Sequence, residues 1–149
     1  MSNTDVEARC RASFEKQKFM GTLGAQLVSV RAGEVVIELP FGSHLTQQHG
    51  FLHAGAVTTI IDTACGYAAL TLMPEGAAVL TVEFKINLMK PAAGSMFRAT
   101  GKVLRSGKTL SVSSGVVEAL KDGKWSTIAA MQATVMTILD RGLKDSFAS

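Results

Sequence analysis

The sequence predicts an α+β domain in which a curved antiparallel sheet is wrapped around one long central helix. Three features indicate this: a long apolar helical segment, strands joined by short turns, and no linker-like stretch. The chain has 149 residues, 47% of them apolar and 18% charged, which is the size and composition of one domain with a proper core. We therefore predict a single domain over residues 1–149, with its core at about 20–139.

The first part of the chain predicts a short helix and two strands. Val6–Lys18 is polar and helical in pattern, and Phe19–Gly24 is predicted to be a loop. Ala25–Val30 and Glu34–Leu39 are predicted as strands around a turn, because apolar residues alternate along the second of them.

A long apolar segment, Gly55–Met73, follows and ends before Pro74. Asp62 lies within it, and an aspartate near the centre of a membrane span costs about 2.5–3.5 kcal/mol on insertion scales. We therefore predict a buried helix and not a membrane span. A helix that is apolar on nearly every side must be covered on most of its surface, which a curved sheet can do.

The second half predicts four strands: Leu80–Met89, Ser95–Leu104, Thr109–Leu120 and Trp125–Leu139. Apolar and polar residues alternate most regularly in the first of them. The short turns indicate antiparallel neighbours, and the free edges of such a sheet invite pairing with a second chain. Arg141–Ser149 is predicted to be a loose tail.

Charge and cysteine content argue against several classes of protein. The net charge is +3, but the basic residues are scattered and form no stripe, which argues against a nucleic-acid partner. Cys10 and Cys65 indicate neither a disulfide framework nor a metal site. The polar segment Met1–Arg11 has no apolar core of the signal-peptide kind, so we predict a cytoplasmic protein with no membrane partner.

Asp62 is the first candidate for chemistry, because burying an unpaired carboxylate is expensive. Perturbed carboxylates mark functional sites only statistically. The residues alone leave a second interpretation equally open, in which Asp62 is capped by a threonine hydroxyl or faces a wet edge of the fold.

The start of the long helix is the second candidate. The small residues Ala54 and Gly55 would let backbone N–H groups approach a ligand oxygen, where the helix dipole favours negative charge. An oxyanion hole needs such donors. His53 could order this loop or contact an acyl carbonyl, although a capping role is its alternative.

Together these residues resemble the hotdog-fold acyl-CoA thioesterases of the phenylacetate-degradation (PaaI-like) type. The family pattern has an Asn, a Gly, a His-Gly-Gly triplet and an acid nine residues after the His. The matching positions hold Gly50, His53, Gly55 and Asp62. Gln47 replaces the Asn and Ala54 replaces the first Gly of the triplet, within a likeness that covers about residues 20–139.

The resemblance implies hydrolysis of acyl-CoA thioesters, with coenzyme A as part of the substrate and no further cofactor or metal. It implies that Asp62 is the general base or nucleophile, that Ala54 offers its N–H to the thioester oxygen, and that His53 shapes this pocket. Gln47 and Thr81 stand where the family places an amide and a hydroxyl. The residues expected to bind coenzyme A are Lys90, Arg105, Gly107 and Lys108, although an ordinary solvated hairpin is the alternative for the last three.

Spacing alone predicts an oligomer. Ala54 and Asp62 are eight helical residues apart, or roughly 12 Å, so the two cannot act on one carbonyl carbon within one chain. Two helices placed antiparallel across a two-fold axis remove this difficulty. The resemblance implies the same dimer, and also a dimer of dimers.

Two other functions remain open at this stage, because one fold hosts several activities. A hotdog dehydratase or hydratase would use His53 together with Asp62. A non-catalytic module would bind acyl-CoA and release no thiol. The acyl group and the choice between base and nucleophile are also left open by the sequence.

Overall fold

The computed structural model describes residues 2–139. Its helices are α1 (Asn3–Glu15), α2 (Lys18–Leu23) and α3 (Ala54–Leu70). Its strands are β1 (Gln26–Arg31), β2 (Glu34–Pro40), β3 (Ala78–Leu88), β4 (Met96–Arg105), β5 (Leu110–Lys121) and β6 (Lys124–Ile138). One 3-10 turn, Ser43–Leu45, lies between β2 and α3.

The six strands form one antiparallel sheet in the order β1-β2-β4-β5-β6-β3, so β1 and β3 are its edges. Helix α3 lies on one face and contacts β2, β3, β4, β5 and β6. The predicted fold class, an antiparallel sheet around one long helix, is confirmed.

Two glycines let α3 approach the sheet closely. Gly101 on β4 and Gly115 on β5 are paired across the sheet. A Cβ atom at Gly101 would lie 2.5 Å from the carbonyl carbon of Ala64, and one at Gly115 would overlap the side chain of Ile61. The backbone of α3 therefore rests directly on β4 at Gly101, and the Ile61 side chain packs against Gly115 on β5. This close packing fixes the position of the polar residues of α3 relative to the sheet.

The N-terminal predictions need two corrections. Helix α1 starts at Asn3, before the predicted Val6, because the Ser2 hydroxyl and the Asp5 carboxylate form a capping box. The predicted loop Phe19–Gly24 is wrong, since α2 occupies most of it and ends at Gly24, whose φ of 82° suits a glycine cap.

The later boundaries agree more closely. Helix α3 begins one residue before the predicted Gly55 and ends at Leu70, short of the predicted Met73. The strands differ from their predicted bounds by one or two residues. The segment Arg141–Ser149 lies outside the described residues. Between Ser2 and Leu139, no helix combines the length and apolar character that a membrane crossing requires.

Strand β3 carries the most regular alternation but is an edge strand with four large apolar side chains that residues 2–139 leave exposed. The exposed fraction is between 44% and 55% for Leu80, Val82, Phe84 and Leu88. The register against β6 also shifts between Thr81 and Glu83. The alternation predicted the strand. It did not predict that these side chains would be exposed, because their burial depends on the order of strands in the sheet.

Candidate active site

Asp62 lies midway along α3 and is half-buried. Its Oδ1 accepts a hydrogen bond of 2.8 Å from the hydroxyl of Thr81 on β3. Burial raises the pKa of the Asp62 carboxyl, and the Thr81 hydrogen bond offsets part of that rise. The nearby Thr58 instead donates to the Ala54 carbonyl at 2.8 Å. The threonine on Asp62 therefore comes from β3 and not from its own helix.

A cavity of about 330 Å³ opens beside this carboxylate, and we call it the Asp62 cavity. Asp62, Thr63, Gly66, Tyr67 and Leu70 line it along α3, while β3 contributes Thr81, α1 contributes Arg9 and Ser13, and Gln17 follows between α1 and α2. Arg9, Ser13, Gln17 and Tyr67 were not predicted from the sequence as site residues. The available signal for Tyr67 was that the sole tyrosine of the chain follows Asp62 by five helical positions.

His53 caps the start of α3. Its Nδ1 accepts the Gly55 N–H at 2.7 Å, and its carbonyl accepts the Ala56 N–H at 2.9 Å. A Cβ atom at Gly55 would lie 2.9 Å from that Nδ1, so the missing side chain makes room for the cap. In the structure His53 therefore acts as a capping residue, which was the alternative role considered for it from the sequence.

The capping arrangement leaves the N–H of Ala54 without a partner among residues 2–139. Positive φ occurs at one non-glycine residue in this part of the chain, Asp122, so Ala54 has a negative φ. Replacing the first glycine of the family triplet by Ala54 therefore strains nothing, and its N–H is a free donor at the positive end of the helix dipole.

A second cavity, of about 430 Å³, lies at this helix start, and we call it the Ala54 cavity. Its lining includes Gln47, Phe51, Ala54, Met89 and Lys90. The Oε1 of Gln47 accepts the His49 N–H, which holds the loop and leaves the amide nitrogen free of any partner in the described chain. This pocket thus brings together three of the predicted site residues, Gln47, Ala54 and Lys90.

The other residues predicted to bind coenzyme A lie elsewhere. Arg105, Gly107 and Lys108 are at the turn between β4 and β5, at the opposite end of the sheet from Lys90. The Gly107 N–H donates to Ser111 Oγ at 3.3 Å, so this amide serves the turn itself. One chain does not assemble these residues into a single site.

Asp62 and Ala54 line different cavities, at a helical separation of roughly 12 Å. Cys65, which neighbours Asp62, is fully buried, and burial raises the pKa of its thiol to about 12, with the Asp62 charge adding to the rise. A thiolate nucleophile is therefore disfavoured here. The two cavities thus offer one carboxylate with a raised pKa and one backbone N–H that has no partner in the described chain.

Comparison with known proteins places this architecture in a family. The family model described as thioesterase superfamily matches residues 49–126, which hold both the Ala54 donor and Asp62. The chain belongs to the thioesterase superfamily.

Solved structures support the fold. A thioesterase family protein from Silicibacter pomeroyi is 47% identical, with a TM-score of 0.89, covering 90% of this chain and 98% of that one. The PaaI protein of Escherichia coli, from the phenylacetic acid degradation operon, has a TM-score of 0.81 at 20% identity, covering 91% and 95%. The resemblance to PaaI-like hotdog proteins is confirmed.

Curated relatives are more distant. Human acyl-coenzyme A thioesterase 13 is 33% identical over 106 residues, which are 70% of this chain and 75% of that protein. A protein of Saccharolobus solfataricus named as a candidate esterase is 36% identical over 90 residues. That match covers 60% of this chain and 64% of the relative, so the chain spans less than two thirds of its length.

Proposed function

We propose that this chain is an acyl-CoA thioesterase whose site is completed across a two-fold dimer, with Asp62 from one chain and the Ala54 N–H from the other. The observation that carries the proposal is the separation of these two groups into different cavities of one chain. Family membership and the similarity to human acyl-coenzyme A thioesterase 13 support the reaction class.

The free edge of β3 is the surface that would join the two chains. It exposes Leu80, Val82, Phe84 and Leu88, and an uncovered apolar edge of this length is uncommon unless a second strand pairs with it. In an antiparallel pairing centred on Phe84, Glu83 lies opposite the partner's Lys85, and the two-fold axis repeats this pair. The register is therefore self-complementary in charge.

The same register joins the two halves of the site. It brings Thr81, the hydrogen-bond partner of Asp62, beside the partner's Asn87, and the register shift between Thr81 and Glu83 keeps the two from being directly opposite. Position 87 adjoins Leu88, which lines the Ala54 cavity. The Asp62 cavity of one chain and the Ala54 cavity of the other thus face each other across the pair of β3 strands.

The mechanism follows from these positions. The thioester carbonyl lies between the chains, and the Ala54 N–H donates to its oxygen and holds the oxyanion as charge develops. Ionised Asp62 either removes a proton from the attacking water or attacks the carbonyl carbon itself, and in both routes the C–S bond breaks as the thiolate of coenzyme A leaves. In the second route the product is a mixed anhydride with Asp62, which water then hydrolyses to the free acid and the free carboxylate. The His53 side chain accepts the Gly55 N–H, so the Ala54 N–H stays available to the substrate at the helix start. The Gln47 amide borders the same pocket.

The dimer also gives the basic residues a common role. Antiparallel pairing brings Lys90 to the end of the assembled sheet that carries the partner's Arg105 and the partner's Lys108. Their charges would attract the phosphates of coenzyme A without a dedicated phosphate loop. A dimer of dimers and a cytoplasmic location stay predictions of the sequence.

The test is thiol release from a panel of acyl-CoAs by the wild type and by Asp62→Asn. We expect Asp62→Asn to lose about 10²- to 10⁴-fold in rate while the oligomer persists, because general base catalysis contributes on that order. Asp122→Asn is the matched control, since Asp122 is exposed, lies in a turn and has a φ of 51° that Asn tolerates.

Each rival function has its own outcome. Hydration of crotonyl-CoA without thiol release would identify the dehydratase or hydratase. Binding of acyl-CoA with no turnover would identify the non-catalytic module. Equal thiol release by Asp62→Asn and the wild type would remove Asp62 from the mechanism.

A further inference from the structure

We propose that the far end of the Asp62 cavity recognises a hydrogen-bond-accepting oxygen on the acyl group, through the hydroxyls of Tyr67 and Ser13. This inference rests on the proposed function and adds the class of acyl group that the site selects. The acyl group would be one that carries a hydroxyl, carbonyl or carboxylate oxygen away from the thioester.

The shape of the cavity separates the reacting end from a distal end. Its wall on α3 runs from Asp62 to Leu70, which is eight helical residues or roughly 12 Å. Asp62 and Thr81 stand at the reacting end. Tyr67 lies between them and the C-terminal end of α3, where α1 forms the opposite wall.

At the distal end, one hydroxyl proton has no hydrogen-bond acceptor among the described residues. Gln17 Nε2 donates to the Tyr67 hydroxyl oxygen at 2.8 Å, and Ser13 Oγ lies 3.0 Å from the same oxygen. Two hydroxyls have two protons, but the contact between Ser13 and Tyr67 uses only one of them. The other has no acceptor among the described residues. Burial raises the pKa of Tyr67, so its hydroxyl keeps its proton near neutral pH.

The Arg9 side chain lies on the wall of the same cavity but offers it no open donor. Its terminal nitrogens donate to the carbonyls of Leu70 at 2.7 Å and Pro74 at 2.9 Å, at the end of α3. Its Nε has no partner among residues 2–139, but it is buried and so out of reach of a ligand. A purely alkyl acyl group would leave the spare hydroxyl proton unpaired, whereas an acceptor oxygen would pair with it.

The acyl group, and not coenzyme A, fits this cavity. Coenzyme A carries several phosphates, while the described lining contains one cation, Arg9, whose terminal nitrogens already bond to carbonyls. The cavity is also bounded by Asp62, whose charge would repel a phosphate. The more open Ala54 cavity, with Lys90 at its rim, suits the carrier.

The experiment compares kcat/KM for hexanoyl-CoA, ω-hydroxyhexanoyl-CoA and adipoyl-CoA in the wild type and in the double variant Tyr67→Phe/Ser13→Ala, because either hydroxyl alone would still have one proton to donate. We expect the wild type to favour an oxygen-bearing substrate over hexanoyl-CoA by roughly tenfold, and the double variant to bring this ratio close to one. Preference for the hydroxyl assigns a neutral acceptor, and preference for adipoyl assigns a carboxylate. Because the ratio compares two substrates on one preparation, it does not depend on the folded fraction.

Tyr67→Phe and Ser13→Ala are also measured singly, and each should keep part of the preference because one hydroxyl proton stays free; Ser13 lies on a short surface helix that tolerates alanine. The matched control Ser126→Ala, exposed on β6, should leave the ratio unchanged. A wild type that hydrolyses hexanoyl-CoA at least as well as both oxygen-bearing substrates would overturn this inference alone. So would a preference that the double variant retains in full. No hydrolysis of any acyl-CoA would instead overturn the proposed function.

Discussion

The hydroxyl of Thr81 lies 2.8 Å from Oδ1 of Asp62, and this hydrogen bond links the edge strand β3 to the carboxylate on α3. The two influences on Asp62 oppose each other. Burial raises its pKa, and the hydrogen bond from Thr81 lowers it. The proton affinity of the candidate base is thus tuned by a residue on the strand that would also form the dimer.

The pH dependence of hydrolysis should report this balance. Asp62 acts when ionised, so kcat/KM should fall as the pH drops through its raised pKa. Thr81→Val removes the hydrogen bond that favours the charged form, and the acid limb should therefore move to higher pH than in the wild type. The measurement is kcat/KM against pH for both proteins. Thr127→Val, an exposed threonine on β6, is the matched control. An acid limb that stays in place or moves to lower pH would contradict the assignment.

Stability should depend on the same carboxylate. Because the folded-state pKa of Asp62 is raised, the fold disfavours the ionised form, and stability is lost as the pH rises from the ordinary value of 3.8 through the raised value. Asp62→Asn removes that ionisation and should increase the free energy of unfolding at neutral pH. The gain should shrink as the pH approaches 3.8. Urea unfolding of both proteins at the two pH values measures it, and a variant less stable than the wild type at neutral pH would refute the prediction.

The Ala54 N–H can be removed without removing the helix. His53 is extended, with φ −61° and ψ 137°, which suits a residue before proline, and Ala54 is the first helical position, where proline is favoured. Ala54→Pro should therefore fold while kcat drops by about 10²- to 10³-fold, because one oxyanion donor is lost. The measurement is kcat on the best acyl-CoA together with the melting temperature.

Ala54→Gly is the control for this substitution, since it keeps the N–H and restores the glycine of the family triplet. It should retain most of the wild-type kcat. Full activity in Ala54→Pro would exclude this amide as the oxyanion donor, and loss in Ala54→Gly would point to the methyl group instead.

Local patterns made most of the fold predictable. The alternation in β3 and the apolar run of α3 depend on neighbouring residues, and the helix start at His53 and Ala54 follows from a short motif. The distal end of the Asp62 cavity was not predictable in this way, because Ser13 and Gln17 meet Tyr67 across 54 and 50 residues of sequence. Such contacts depend on how α1 is placed over the sheet, and single-sequence periodicity carries no information about that.

The dimer proposed here rests on the pairing of Glu83 with the partner's Lys85, so charge reversal tests it directly. Glu83→Lys puts like charges opposite each other at two symmetric places, and opposed like charges in a sheet are destabilising. We expect the dissociation constant of the dimer to rise severalfold and the activity per chain to fall on dilution. Adding Lys85→Glu restores the opposite charges with their order reversed, and should recover both quantities.

Sedimentation velocity over a range of protein concentrations measures the association, and thiol release at the same concentrations measures the activity. Glu75→Lys is the matched control, because it makes the same change in net charge on an exposed loop away from β3. High salt should reduce the difference between Glu83→Lys and the wild type, since exposed charges are screened. Full activity in a size-verified monomer would rule out a site shared between chains, because Asp62 and Ala54 of one chain lie too far apart to act on one carbonyl.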